Sequence, residues 1–154
     1  MNCLRSGRTI DTAMPTEFTF HRRVQFAETD LAGIAHFSNY FRWMEEAEHA
    51  FFRSLGMSVL MKHGDSEITW PRVSVACDYS GPVRFEDELE LLLRVVRVGG
   101  KSLTFEFEII NGGERVALGK MTGVCCAIEP GGRMRSVPIP DDIRAKLEHG
   151  KPAP

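Results

Sequence analysis

Apolar and polar residues alternate with a period of two through residues 18–26. Phe18, Phe20, Val24 and Phe26 share one face, and Thr19, His21, Arg23 and Gln25 share the other. That period predicts a β-strand, although Arg22 interrupts the apolar face. Over 39–55 the spacing becomes helical. Tyr40, Trp43, Met44, Ala47, Phe51 and Leu55 make one stripe opposite Arg42, Glu45, Glu46, His49 and Arg53. Ser38 or Asn39 is placed to cap this helix, and Gly56 to stop it. Met57 to Lys62 reads as a short helical turn ended by His63 and Gly64.

Beyond that turn the pattern is extended. Four runs alternate, over 72–80, 88–98, 102–110 and 114–128, separated by Gly81-Pro82, Gly99-Gly100 and Asn111-Gly112-Gly113. Pro130-Gly131-Gly132 ends the last run, and Pro140 to His149 reads as a short helix with Asp141 and Asp142 in its first turn. The order is strand, long helix, antiparallel strands, short helix, an α+β layout in which one helix must cover one sheet. In the last run Ala117, Gly119, Met121, Gly123, Cys125 and Ala127 share a mostly small face. Either a helix approaches that face closely, or the small residues mark bulges and a weak strand. The outer face of 88–98 carries Leu92, Val96 and Val98, which predicts association with a second copy.

The length of 154 residues suits one domain, expected over 16–150, with 1–15 as a loose leader in which Met14 is an alternative start. The near balance of 19 Lys+Arg against 21 Asp+Glu gives no global field for nucleic acid or an anionic membrane. No apolar run approaches the ~20 residues that span a bilayer, and the N-terminus has no apolar signal core. Cys3, Cys77, Cys125 and Cys126 include no CxxC pair and no zinc-like spacing with histidine, so reduced thiols in a cytoplasmic protein without a metal are expected.

The candidate chemistry lies between the first strand and the long helix. Asp30 sits on a short turn containing Gly33, just before the helix start at Ser38-Asn39. A carboxylate beside the free N–H groups of a helix N-terminus suits acyl transfer. An Asp in such a turn also commonly bonds its own backbone. His36 is either an acid or acyl contact, or a hydrogen-bonded loop histidine. Glu45, Glu46 and Glu48 read as a solvated helix face. Arg97, Lys101, Arg133 and Arg135 are candidate phosphate contacts or ordinary surface charge.

Two motifs are familiar. Thr29-Asp30-x-x-Gly33-Ile34-x-x-x-x-Asn39-Tyr40 followed by Trp43-Met44-Glu45, and the later Arg97-Val98-Gly99-Gly100-Lys101-Ser102-Leu103-Thr104-Phe105-Glu106, resemble the 4-hydroxybenzoyl-CoA thioesterase family of hotdog-fold proteins over residues 18–140. The resemblance implies a long central helix wrapped by a curved antiparallel β-sheet. It implies association as a homodimer or homotetramer, and metal-free hydrolysis of an acyl-CoA thioester in which coenzyme A is part of the substrate. By position, Asp30 matches the catalytic carboxylate and the Phe37 backbone N–H matches the donor to the thioester carbonyl. Gly33, His36, Asn39, Lys101 and Ser102 fall on substrate-binding positions, and Trp70 on the acyl pocket, contributed by a neighbouring subunit or else packed in the core. Other carriers and roles stay open: an acyl carrier protein thioester, or a module that binds acyl-CoA without hydrolysing it. Asp30 argues for the enzyme, because binding alone needs no carboxylate beside a thioester.

Overall fold

Alternating burial along β1 (Glu17–Arg23) puts Phe18 and Phe20 against the long helix, as expected, but the strand stops at Arg23. Residues Phe26–Glu28 turn instead into a single 3-10 turn, because the Glu28 carboxylate reaches back to the Gln25 N–H. Phe26, expected on the apolar face, is therefore 74% exposed, with its ring edge-on to that of Phe85. The computed structural model describes residues 16–150, so the expected leader over 1–15 lies outside the described residues.

Helix α1 (Asn39–Ser54) forms as the spacing predicts, with Tyr40, Trp43, Met44, Ala47 and Phe51 buried. Its start differs in detail. Ser38 makes no side-chain cap; its hydroxyl faces His36 Nδ1 at 2.8 Å. Gly56 ends the helix with φ of +69°, the left-handed conformation that a non-glycine residue adopts only with strain.

The segment expected to be a helical turn, Met57 to Lys62, is instead irregular as far as Leu60 and then enters β2 (Met61–His63), which pairs antiparallel with β3 (Ser66–Thr69) across Gly64. Three-residue strands carry too little periodicity to be told from a helical turn. The long strands follow: β4 (Arg72–Tyr79), β5 (Glu88–Val98), β6 (Ser102–Asn111) and β7 (Glu114–Val124). They make an antiparallel five-stranded sheet in the order β1-β5-β6-β7-β4. The expected last strand over 114–128 breaks at Cys125, whose N–H donates to Lys101 O and whose carbonyl accepts from Val137. The chain then changes partner. β8 (Cys126–Ile128) pairs with β3 and with β9 (Met134–Ser136), a strand that sequence patterning missed. α2 (Asp141–His149) closes the fold over the β5–β6 turn, with Arg144 donating to Gly99 O at 2.7 Å.

One face of the large sheet wraps α1. Leu89, Leu91, Leu93, Leu103, Phe105, Phe107 and Ile109 are buried there with Phe51 and Phe52. β7 meets α1 through a side chain: a Cβ built on Gly119 would run into Met44 Sδ. At Gly119 the small-residue face therefore serves the approach of an α1 side chain, whereas Gly123 faces Arg72 and the Trp70 and Pro71 carbonyls instead. The opposite face is not the apolar patch expected from Leu92, Val96 and Val98, of which Val98 packs against the core. Arg94 sits between Leu92 and Val96 and pairs with Glu17 and Glu108 across three strands, so the face is laced with charge. Val96 stays 45% exposed there, and a second exposed apolar edge lies on β4, where Val73 and Tyr79 are 63% and 45% exposed.

Candidate active site

Asp30 occupies the loop between the 3-10 turn and α1. Thr29 bridges Ala35, the Asp30 N–H donates to Ile34 O, and the Gly33 N–H donates to Asp30 O, so the loop folds into a small closed unit. Gly33 takes φ of +73° with nothing near its missing Cβ; conformation rather than space requires the glycine. Asp30 Oδ1 accepts the Ala32 N–H at 2.8 Å, which is the turn bond an Asp ordinarily makes. Only that oxygen is engaged among the described residues, and Asp30 is exposed, so the carboxylate keeps a free face toward solvent.

The same loop presents Phe37. The His36 N–H donates to Glu28 O at 2.8 Å and the Asn39 N–H to His36 O at 3.0 Å. Between them, the Phe37 N–H has no partner among the described residues. Tyr79 Oη donates to Phe37 O at 3.0 Å and holds this peptide from the β4 side. The His36 ring engages Ser38 Oγ through Nδ1 and lies 4.4 Å from the Phe37 ring. Asn39 is buried, and its side-chain amide donates to Glu28 O at 2.8 Å, which ties α1 to the Asp30 loop.

The remaining candidates lie elsewhere in this chain. Lys101 and Ser102 follow the far end of β5, whereas the Asp30 loop adjoins its Glu88 end through the Val24–Asp87 and Ala35–Val83 bonds. Eleven residues of strand put the two ends roughly 30 Å apart. Lys101 is exposed with Nζ 3.5 Å from Ser136 Oγ, and Ser102 O accepts the Gly99 N–H. Trp70 also belongs to the far end. It is 4% exposed and packs on Phe52 at 5.9 Å, with no partner for its indole N–H among the described residues. It still borders solvent, since it lines a groove of about 440 Å³ with Glu45, His49, Val59 and Arg72. A smaller hollow of about 200 Å³, lined by Phe41, Val75 and Met121, shares Glu45 and Arg72 with it.

Two carboxylates, a half-buried Glu28 and a fully buried Glu48, carry no special signal in the sequence reading. Glu28 lies under the loop; burial alone would raise its pKa, but the Gln25 N–H, the Trp43 indole and Arg22 outweigh it and hold the carboxyl below its usual range. Glu48, expected on a solvated face, is 1% exposed and paired with Arg72. Burial pushes its pKa up to about 7 against the pull of Arg72, with the Glu45 charge adding to the rise. A signal existed: Glu48 is four residues from both Met44 and Phe52, on the row that faces the sheet. Because the folded protein holds this proton above the ordinary carboxyl range, stability should fall as pH rises from about 4.5 through about 7. Glu48→Gln is expected to remove that fall, at most about 2–3 kcal/mol, from urea midpoints compared at pH 4.5 and 8. A variant with the wild-type pH slope would show that Glu48 is ionised throughout.

The family model for the thioesterase-like superfamily matches residues 24–147. The chain belongs to that superfamily. A protein of Aquifex aeolicus that carries a provisional esterase name is 34% identical over 131 residues, 85% of this chain and 98% of its own. A 1,4-dihydroxy-2-naphthoyl-CoA hydrolase of Thermosynechococcus vestitus is 28% identical over 130 residues, 84% of this chain and 87% of its own. The solved structure of a gentisyl-coenzyme A thioesterase superposes with a TM-score of 0.74 at 30% identity, covering 84% of this chain and 99% of that one. This thioesterase-superfamily chain is thus a hotdog-fold thioester hydrolase. No helix among its described residues is long and apolar enough to cross a membrane.

Proposed function

We propose that the protein hydrolyses an acyl-CoA thioester to a free carboxylic acid and coenzyme A, with Asp30 acting as nucleophile or general base. The observation that carries this reading is the presence, in one small loop leading into α1, of an exposed Asp30 carboxylate and a Phe37 N–H without a partner among the described residues. Sulfur donates weakly into the carbonyl, so the thioester needs only a nucleophile and a site for the developing oxyanion. In direct attack an Asp30 oxygen adds to the carbonyl carbon, the thiolate of coenzyme A leaves, and water hydrolyses the resulting anhydride. In the alternative, Asp30 takes a proton from the water that attacks. In both, the Phe37 N–H and the N-terminal end of α1 stabilise the negative oxygen.

The free edge of β4 favours a second copy, giving a homodimer or homotetramer. Antiparallel pairing of this edge with itself would bring the partner's groove beside this chain's Phe37 and Tyr79. It would also carry the neighbouring subunit's distant end toward the Asp30 loop, which fits a substrate-binding role for Trp70, Lys101 and Ser102. Hydroxylated aromatic acyl groups come first as substrates, because the relatives named above are called hydrolases of such thioesters. Metal is not required in this scheme; among the described residues no three His, Cys, Asp or Glu side chains cluster as ligands.

The test is coenzyme A release from a panel of benzoyl-, hydroxybenzoyl-, naphthoyl- and fatty acyl-CoA thioesters. Hydrolysis of at least one aromatic thioester is expected. Tight binding with no release across the panel would instead assign a binding module. Lys101→Ala is expected to raise KM by about 3- to 10-fold with kcat nearly unchanged, because a phosphate contact is the same in ground and transition states. An unchanged KM would return Lys101 to the surface charge.

A further inference from the structure

Four segments of the chain meet at Glu28, two residues before Asp30. Its carboxylate accepts Arg22 Nη2 at 2.7 and 2.8 Å, Trp43 Nε1 at 2.9 Å and the Gln25 N–H at 2.7 Å. Its backbone carbonyl accepts the His36 N–H and Asn39 Nδ2, both at 2.8 Å. Arg22 is itself buried, with its guanidinium 4.8 Å from the Trp43 ring centre and a second carboxylate, Glu46, at 3.1 Å. The interruption of the apolar face of β1 at Arg22 is thus the base of a clamp. One side of the clamp holds the segment entering Asp30, and the other holds the peptide leading to Phe37.

We propose that Glu28 is a positioning residue for hydrolysis, fixing the Asp30 carboxylate relative to the Phe37 N–H without touching the substrate. The proposal rests on the roles given above to Asp30 and Phe37. Geometry supports it in two ways. The Glu28 side chain anchors the 3-10 turn to β1 and to Trp43 of α1, so the turn cannot slide along the helix. The Glu28 carbonyl anchors His36, just before the oxyanion donor, and Asn39, two residues after it. A shift of about 1 Å between reacting groups is enough to lower a rate by about 10²-fold.

Glu28→Gln keeps the side-chain shape, the carbonyl and one acceptor oxygen, and removes the charge that holds both contacts to Arg22. Active sites are counted by binding of a non-hydrolysable acyl-CoA thioether. Per binding site, kcat is expected to fall about 10- to 100-fold with KM changed less than about 3-fold. In an Asp30→Asn background the same substitution should change the residual rate less than about 2-fold, since no carboxylate is left to position. A residue that only supports the fold behaves differently. It lowers the number of binding sites and leaves kcat per site unchanged, and that result overturns the proposal. Should Glu28→Gln fold poorly, Trp43→Phe removes one donor from Glu28 while keeping a ring in the core, with an expected fall of about 3- to 10-fold. Asp30→Asn working at the wild-type rate overturns both readings together. An inactive Asp30→Asn beside an undiminished Glu28→Gln overturns this one alone.

Discussion

Asp30→Asn is expected to fold as the wild type does and to lose at least about 10²-fold in kcat while still binding acyl-CoA. Asn is nearly isosteric and keeps an oxygen to accept the Ala32 N–H at 2.8 Å, so the turn through Gly33 should survive. The bonds from Asp30 N–H to Ile34 O and from Gly33 N–H to Asp30 O are backbone bonds that the substitution does not touch. What disappears is the negative charge, and with it the capacity to attack a carbonyl or to take a proton from water. General bases contribute typically 10²–10⁴-fold, and the loss of a nucleophile can exceed that. The Phe37 N–H remains to hold the carbonyl, which is why binding should persist. The measurement is steady-state hydrolysis of the best thioester in the panel, with binding followed separately by calorimetry. A variant that turns over within about 3-fold of wild type would remove Asp30 from the mechanism, leaving it the turn residue that its Ala32 bond already makes it.

Much of this site was legible because its signals are local. The helix over 39–54 follows from apolar residues three and four apart, and Gly33 and Asp30 stand in one short motif. What escaped reading depends on contacts between distant segments. Glu28 looks like any acidic turn residue until Arg22, Trp43 and Asn39 are brought to it from β1 and α1. The Arg22 interruption was visible, but its carboxylate partners were not. The motif puts Lys101 and Ser102 in the site, yet within one chain they sit at the other end of β5, because a resemblance of motifs carries no information about distances across the fold. The break at Cys125 escaped for a different reason. Alternation continues through it, so periodicity cannot show that the hydrogen-bond partner changes from β6 to β3.

The small face of β7 yields the largest expected effect on stability. Gly119→Val should destabilise the fold by about 3 kcal/mol, near the upper end of what overpacking a core does. Two terms oppose each other. Valine favours strand conformation over glycine by up to about 1 kcal/mol. Against that, the first added carbon would lie 2.1 Å from Met44 Sδ and 3.3 Å from Met44 Cε, and Met44 is fully buried. A thioether can swing aside at a surface; here Met44 belongs to the buried cluster formed with Phe105, Phe107 and Met121, and has little room to do so. The steric term should therefore win, and a loss of that size lowers the melting temperature of a domain this large by roughly 10 °C. Met44→Ala alone should also destabilise, by about 2–5 kcal/mol through the cavity it leaves. The double variant is the sharper test. Valine at 119 partly refills the space vacated at 44, so the combined loss should be smaller than the sum by more than about 1 kcal/mol. Urea unfolding of the four proteins measures that difference directly. Additive losses would mean that helix and strand do not meet at this pair, and that Gly119 is small for some reason other than the approach of α1.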